Sequence, residues 1–268
     1  AGGWLFEFGR KDRAHELTCS LNDAAIITDR KSFDAFQWPD LEATDFSVLK
    51  DLDSDLPSCM NLMIFTPDGL LETVIGLVGY DNLCMLLHDD RGLVGDVFER
   101  VGETLLIFYR RALAYRSVGM AMVNDDWGFK TQPMISPADM RKYVFPWHRR
   151  IVEAAHKAGR PAILHSCGQL ESLMDGIIDD LKFDAKHSYE DAICPVEDAY
   201  RRWGRRIAIL GGLDVDFMVR STPDAIYTRA KRMLAAAPVG YALGTGNSLP
   251  EYIPDDHYFA MTRAALEG

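Results

Sequence analysis

The middle of the chain reads Pro161-Ala-Ile-Leu-His-Ser-Cys-Gly168. An apolar run ends abruptly here in polar residues and a glycine, and a new helical pattern begins at Leu170. A short apolar run predicts a buried parallel strand, and α/β proteins place their chemistry at the carboxyl ends of such strands. His165 and Cys167 are two residues apart, so on an extended backbone their side chains point to the same side. An imidazole and a thiol directed into one space can share a soft divalent metal, and zinc suits this pair best.

The same succession of strand, polar end and helix recurs along the chain. Strands are predicted at residues 60–65, 119–123, 161–164, 183–186, 207–210 and 240–243, with a further one near Trp4. Helices are predicted at residues 70–87 (interrupted at Gly79), 92–116, 136–159 (with a break at Pro146) and 221–237. This alternation predicts parallel βαβ units.

A closed (β/α)8 TIM barrel explains this pattern best, because its strand ends share one mouth and nearly every predicted strand ends in polar or glycine-rich sequence. The alternative is a doubly wound open sheet. That fold predicts a GxGxxG turn after an early strand, and the sequence has none.

Length and composition fit one domain. The chain has 268 residues, 48% hydrophobic and 26% charged, and a single barrel of about 250 residues accounts for this length. We therefore expect one barrel domain over residues 1–268, with an irregular part at 1–57 and a recognisable barrel at 58–268. The chain opens at Ala1 without a Met, which leaves missing upstream sequence as an open alternative, and an eighth strand is expected in the unclear or missing N-terminal part.

Charge and cysteine content narrow the function classes. The net charge is −11 and there is no long basic run, which argues against a nucleic-acid partner. No apolar run approaches the ~20 residues that span a bilayer, which argues against a membrane protein. The five cysteines are widely spaced, odd in number and without a CxxC pair, so they predict no disulfide framework and favour a reducing, cytoplasmic location.

The polar residues at five strand ends are the candidate site. They are Asp125, Asp126, His165, Cys167, His187, Glu190, Asp214, Asp216, Thr245 and Asn247. Each also has a structural explanation, since carboxylates cap helices and glycine-flanked residues make tight turns. Only one of the two adjacent aspartates can face the barrel axis. The stretch from His187 to Asp191 can complete a metal shell, act as acid or base, or form a solvated loop.

Six motifs occur in a fixed order along the chain. They are Asp125-Asp-Trp-Gly-Phe129, Ile135-Ser-Pro137, His156-Lys-Ala-Gly159, Ile163-Leu-His-Ser-Cys-Gly168, Gly211-Gly-Leu-Asp-Val-Asp216 and Leu243-Gly-Thr-Gly-Asn-Ser248. Together they resemble the uroporphyrinogen decarboxylase superfamily, which includes the decarboxylase of haem biosynthesis and the corrinoid-linked methyltransferases. The resemblance covers roughly residues 58–264. It implies a single distorted (β/α)8 barrel, and it favours Asp126 as the aspartate that faces the axis.

The methyltransferase branch of this superfamily holds zinc with His-x-Cys on one strand end and with a later Cys in a glycine-rich loop. His165 and Cys167 match the first part, whereas the later position falls near Asn247. Glu190 or His187 could replace the missing ligand, and the departure also fits another methyl donor or acceptor, such as an aryl methyl ether. From the strand-end positions and the resemblance together we hypothesise the following roles: catalytic Asp126, His165, Cys167, Glu190 and Asp214; substrate-binding Asp125, His187, Asp216, Thr245 and Asn247; metal-binding His165, Cys167 and Glu190.

The decarboxylase branch of the superfamily needs no metal. Its members have an Arg-rich motif near the N-terminus and a Gly-His-Gly motif late in the chain. Here the late motif is Gly244-Thr-Gly246, and no Arg-rich motif is visible near the N-terminus. The acidic mouth would also repel the carboxylates of a porphyrinogen.

The leading hypothesis is therefore a corrinoid-linked methyltransferase that uses zinc or another divalent metal. Its partners would be a small-molecule substrate and a corrinoid carried by a partner protein, and a homodimer is left open. The alternatives are a decarboxylase (a lyase) acting on a tetrapyrrole or a smaller carboxylic acid, and a non-catalytic corrinoid- or tetrapyrrole-binding protein.

Overall fold

Six parallel strands alternate with helices in the computed structural model, which describes residue 22 and residues 25–267. The strands are β1 (Leu62–Ile64), β2 (Val118–Asn124), β3 (Ala162–His165), β4 (Ala185–His187), β5 (Ala208–Leu210) and β6 (Tyr241–Ala242). Each lies within two residues of a predicted strand, so the six predictions from residue 58 onward are confirmed. The strand predicted near Trp4 lies outside the described residues.

Along the chain, the α-helices come before, between and after the strands. They are α1 (Arg30–Ala35), α2 (Ser47–Asp55), α3 (Leu70–Val78), α4 (Tyr80–Asp89), α5 (Arg91–Ala112), α6 (Pro137–Asp139), α7 (Phe145–Lys157), α8 (Val196–Trp203), α9 (Val215–Arg220), α10 (Pro223–Ala236) and α11 (Asp255–Leu266). None of them is by itself long and apolar enough to cross a membrane; α3 and α4 pass on length and composition only as a pair, with a bend of 92° between them.

The break near Pro146 and the helix end at Gly159, both predicted from the sequence, are present in the structure. The helix predicted over 136–159 divides into α6, a π-helical turn at Met140–Val144 and α7. Pro146 is in the first turn of α7, where its missing N–H costs nothing, so the break falls just before it. Gly159 follows the end of α7 with φ at +70°, the left-handed conformation of a helix C-terminus.

The chain divides into two compact units. Unit 1 contains the described residues up to Asp126 and residues 135–162, and unit 2 contains residues 127–134 and 163–267. In unit 1, β1 pairs with β2; in unit 2, β3, β4, β5 and β6 pair in chain order, and all of these pairs are parallel. The expectation of one domain over residues 1–268 stays a prediction.

Each unit has close helix packing of its own. In unit 1, α5 and α7 approach so closely at Gly102 that an added Cβ would lie 2.1 Å from the Trp147 ring. In unit 2, Leu213 after β5 packs with Met218 of α9 and Ile226 of α10 in one buried cluster. This packing holds the loop after β5 against the helices that follow it.

Candidate active site

Two histidines lie side by side at the carboxyl ends of β3 and β4. The parallel register pairs His165 with His187, and their ring centroids are 4.9 Å apart. Paired residues on neighbouring strands project to the same face of a sheet, whereas the preceding residue projects to the other. The strand register therefore brings together two of the predicted site residues.

The predicted pair His165 and Cys167 shares one space in unit 2. His165 Nε2 and Cys167 Sγ are 3.8 Å apart, and the thiol also lies 3.7 Å from the hydroxyl of Ser188. Typical zinc bond lengths to nitrogen and sulfur put two tetrahedral ligands about 3.6 Å apart. The separation of the two donor atoms therefore fits a common zinc ion.

His187 links His165 to the loop after β6. The Nδ1 atoms of the two imidazoles are 2.7 Å apart, and His187 Nε2 is 3.0 Å from the carbonyl oxygen of Thr245. Gly211, with φ at +81°, leaves room for this contact: an added Cβ would lie 2.4 Å from that oxygen and 2.6 Å from His187 Nε2. The glycine at position 211 thus allows His187 and the Thr245 carbonyl to approach each other closely.

The loop that carries Cys167 packs against residues 127–129 of the same unit. Ser166 Oγ accepts the N–H of Trp127 at 3.1 Å, and the Phe129 carbonyl accepts the N–H of Gln169 at 2.7 Å. Gly168 has φ at +89°, and an added Cβ would lie 2.1 Å from the carbonyl oxygen of Gly128. The glycine after the His-x-Cys motif is therefore required by this contact.

Lys186 is a buried cation between the two histidine-bearing strands, and sequence reasoning missed it. The residue is 3% exposed, and Nζ donates to the carbonyl oxygens of Ser188 at 2.8 Å and Ser166 at 3.2 Å. It also lies 4.4 Å from the ring centre of Tyr189. A lysine in a predicted strand just before His187 was the available signal, because strand alternation puts it on the face away from the histidines.

Glu190, Thr245 and Asn247 form a second group of predicted residues in unit 2. Asn247 Nδ2 donates to Glu190 Oε1 at 3.1 Å, and Thr245 Oγ1 donates to the Asn247 carbonyl at 2.6 Å. Glu190 and Asn247 line an open cavity of about 830 Å³ together with Asp214 and Asp216. Among the described residues, Glu190 does not join His165 and Cys167 in a group whose ligand atoms all lie within 4.8 Å of one another. Its assignment as a metal ligand stays a prediction.

The two aspartates after β5 have structural partners. Asp214 is the N-cap of α9: its Oδ1 accepts the N–H of Phe217 at 3.0 Å, and its Oδ2 accepts the N–H of Asp191 at 2.8 Å. Asp216 is 71% exposed and pairs with Arg220 one helical turn later at 2.6 Å. These contacts explain both residues structurally, and their roles in catalysis and substrate binding stay predictions.

The adjacent aspartates after β2 lie in unit 1 and differ in burial. Asp125 is fully buried, with Oδ1 accepting the N–H of Glu72 in α3 at 3.1 Å and Oδ2 lying 3.2 Å from His148 Nε2. Asp126 is partly buried. Asp125 therefore has a structural role, since it accepts a backbone N–H in the first turn of α3.

Glu72 is the acidic residue of unit 1 that sequence reasoning missed. Its Oε2 accepts the N–H of Gly69 at 3.1 Å, which is the back-bond of a capping box at the start of α3. Burial, followed by the charges of Asp125 and Asp126, raises the pKa of Glu72 to about 8. At neutral pH Glu72 is therefore largely a carboxylic acid that can donate a proton. The spacing Gly69-x-x-Glu72 before an apolar run was the signal for it.

Comparison with known proteins identifies the family. The model of the family described as Uroporphyrinogen decarboxylase (URO-D) matches residues 66–267, about three quarters of the chain. The chain belongs to the uroporphyrinogen decarboxylase family. Uroporphyrinogen decarboxylases of Streptomyces avermitilis and Streptomyces coelicolor are 27% and 28% identical to it over 180 and 181 residues, which is 66% of this chain and 47% of each relative. The chain thus spans about half the length of the curated relatives it matches.

Similarity to a solved structure of another protein supports the fold class of this chain. A methyltransferase from Methanosarcina mazei aligns with a TM-score of 0.68 at 16% identity, covering 92% of this chain and 69% of that one. The likeness, together with six parallel strands that alternate with helices, confirms the TIM-barrel fold class.

Proposed function

We propose that this chain is a corrinoid-linked methyltransferase of the uroporphyrinogen decarboxylase family. It would move a methyl group between a small substrate and a corrinoid protein, with the help of a divalent metal. The observation that carries the proposal is the 3.8 Å separation of His165 Nε2 and Cys167 Sγ at the end of β3. One nitrogen and one sulfur donor form the pair of ligands expected for zinc.

In this proposal His165 and Cys167 hold the metal, and Glu190 is the expected third donor. A bound divalent ion would supply Lewis acidity, lowering the pKa of a thiol or polarising an ether oxygen. Glu190 and Asn247 line the cavity of about 830 Å³ and would orient the small substrate there. Asp126 would position substrate or transfer protons, as the family resemblance implies. A thiolate ligand needs reducing conditions, which fits a cytoplasmic enzyme.

A methyl-transfer assay tests the proposal directly. Protein supplied with Zn²⁺ is mixed with methylcobalamin and a thiol acceptor, and loss of the methyl group from cobalt is followed by visible absorption. We expect turnover in the wild type and a loss of about 100-fold or more in His165→Ala and Cys167→Ala, because both remove a ligand. Cys194→Ala, a partly buried cysteine of the same unit, is the control and should keep the activity. Equal rates in all four proteins would contradict the proposal.

Decarboxylation is the second candidate, and two observations favour it. The curated relatives are uroporphyrinogen decarboxylases, and Glu72 is a proton donor at neutral pH because its pKa is raised to about 8. A decarboxylase must deliver a proton to the carbon that loses CO₂, which a neutral carboxylic acid can do. Incubation with uroporphyrinogen decides this question: formation of coproporphyrinogen without added metal would support the decarboxylase, and its absence would exclude that substrate.

A further inference from the structure

A chain of hydrogen bonds in unit 2 fixes where the protons sit on the two site histidines. The chain starts at the Thr245 carbonyl oxygen, which lies 3.0 Å from His187 Nε2. A carbonyl oxygen can only accept a hydrogen bond, so His187 Nε2 must carry the proton. When this imidazole is neutral, its Nδ1 therefore has a lone pair and no hydrogen.

The next contact transmits this polarity to His165. The two Nδ1 atoms are 2.7 Å apart, so one of them must donate and the other must accept. Since Nδ1 of a neutral His187 can only accept, His165 must donate from Nδ1. A neutral His165 with a proton on Nδ1 has its lone pair on Nε2. That nitrogen is the one 3.8 Å from Cys167 Sγ.

We propose that His187 is a positioning residue: anchored on the Thr245 carbonyl, it holds His165 in the Nδ1–H tautomer and presents the Nε2 lone pair to the side of Cys167. The tautomer follows from the contacts alone. Its use, to prepare His165 as a metal ligand, rests on the proposed function. Ligating histidines commonly depend on such a partner, which fixes the ring and its tautomer.

The surrounding backbone is built to keep this contact. An added Cβ at Gly211 would lie 2.5 Å from His187 Cδ2 and 2.4 Å from the Thr245 oxygen, so only a glycine allows the ring to reach the carbonyl. The parallel register of β3 and β4 then sets the two rings opposite each other. His187 therefore acts through His165, which differs from the substrate-binding role predicted for it from the sequence.

Nitrogen-15 NMR of the imidazoles in the metal-free protein tests the tautomer itself. The measurement is made well above the ordinary imidazole pKa of about 6.5, so that both rings are neutral. We expect a protonated Nδ1 and a bare Nε2 on His165, and a protonated Nε2 on His187. A wild-type spectrum with the proton on His165 Nε2 would overturn the proposal without any variant.

Two substitutions of His187 separate positioning from mere packing. His187→Gln keeps an acceptor and a donor in one side chain, so it should retain the His165 tautomer, whereas His187→Leu offers neither and should lose it. Zn²⁺ affinity, measured by competition with a chromophoric chelator, should fall about 10- to 100-fold in the Leu variant and much less in the Gln variant. His257→Leu is the control, because His257 also contacts a backbone carbonyl in unit 2, that of Met218 at 2.6 Å, and it should change neither readout.

The outcomes distinguish this proposal from the proposed function. An unchanged His165 tautomer in a folded Leu variant would overturn the positioning role. If the Leu variant does not fold, the wild-type spectrum decides: a proton on His165 Nδ1 supports the role and a proton on His165 Nε2 contradicts it. A wild type that has the expected tautomer but binds no Zn²⁺ would defeat the proposed metal chemistry and leave the tautomer assignment standing.

Discussion

Glu72 is the residue whose chemistry departs furthest from that of an ordinary surface carboxyl. Its side chain sits at the first turn of α3 beside two aspartates, and burial is the main reason that its pKa rises from 4.5 to about 8. Backbone N–H groups of Gly69 and Asp126 oppose this rise only in part. Glu72 therefore keeps its proton at neutral pH, and the stability of the folded state is expected to depend on pH through it.

We expect Glu72→Gln to remove this pH sensitivity. Between pH 4.5 and about 8 the folded protein keeps a proton on Glu72 that the unfolded chain has lost. Stability is therefore lost as the pH rises through this window, by a slope on the order of 1 kcal/mol per pH unit. Glutamine is neutral at every pH, so the variant should lack this loss of stability. The free energy of unfolding of the variant should therefore increase relative to that of the wild type as the pH rises.

Urea unfolding at several pH values measures this difference. Glu103→Gln on α5 serves as the control, since Glu103 is about half exposed and only 4.0 Å from Arg100. Parallel pH profiles for the wild type and Glu72→Gln would show that Glu72 titrates as a normal carboxyl.

At the scale of elements, the strands and their ends were predictable and the side-chain partners were not. Apolar runs that end in polar residues predicted all six described strands. A parallel strand that is buried on both faces needs a nearly continuous run of apolar residues, and such a run is visible in the sequence. The pairing of His165 with His187 depends on the register of β3 and β4. Register is set by packing between distant segments, so one sequence does not reveal it.

The missed residues have a similar explanation. Lys186 and Glu72 both look like surface residues by type, and only the structure shows that backbone groups hold them inside. Asp214 is predicted to be catalytic because it follows a strand end, and the structure adds that both of its oxygens accept backbone N–H groups, so its catalytic role stays a prediction. Position at a strand end predicts proximity to the site, whereas the function of a side chain depends on the partners it meets there.

Lys186 should stabilise the ends of β3 and β4. Lys186→Met removes the donor to two carbonyl oxygens, of Ser166 and Ser188. Losing the donor to these two carbonyls should cost about 2 kcal/mol or more in the free energy of unfolding. Lys231→Met is the matched change, since Lys231 also donates to a carbonyl, that of Glu267, but at the surface. Its cost should stay within about 0.5 kcal/mol, and equal costs in the two variants would contradict the bridging role.

The loop after β3 should need a glycine at position 168 for two reasons: its positive φ, and its close contact with the carbonyl of Gly128. Gly168→Ala and Gly159→Ala both place a side chain at positive φ, +89° and +70°, so the cost of that conformation is similar in both. Only Gly168 also faces a carbonyl, at 2.1 Å from an added Cβ, whereas nothing lies within 4 Å at Gly159. Urea unfolding should show Gly168→Ala less stable than Gly159→Ala by about 1–3 kcal/mol. Indistinguishable stabilities would mean that the loop can move away from residue 128.

At the scale of the whole molecule, the sequence predicts one domain, while the described contacts fall into two compact units. We expect a single cooperative urea transition, as single domains show. Far-UV circular dichroism follows unfolding of the whole chain. Fluorescence follows one unit at a time in variants whose only tryptophan is Trp147, in unit 1, or Trp203, in unit 2. Transitions that do not coincide would show that the units unfold separately and that the one-domain prediction is wrong.

The zinc content of the purified chain tests the central claim, that His165 and Cys167 form a metal site, most directly. Protein equilibrated with Zn²⁺ and freed of excess ion is assayed by atomic emission, beside His165→Ala, Cys167→Ala and Cys194→Ala. We predict about one zinc per chain in the wild type and the Cys194 variant. The His165 and Cys167 variants should contain little or none. Equal zinc in all four proteins, or none in the wild type, would contradict the metal site.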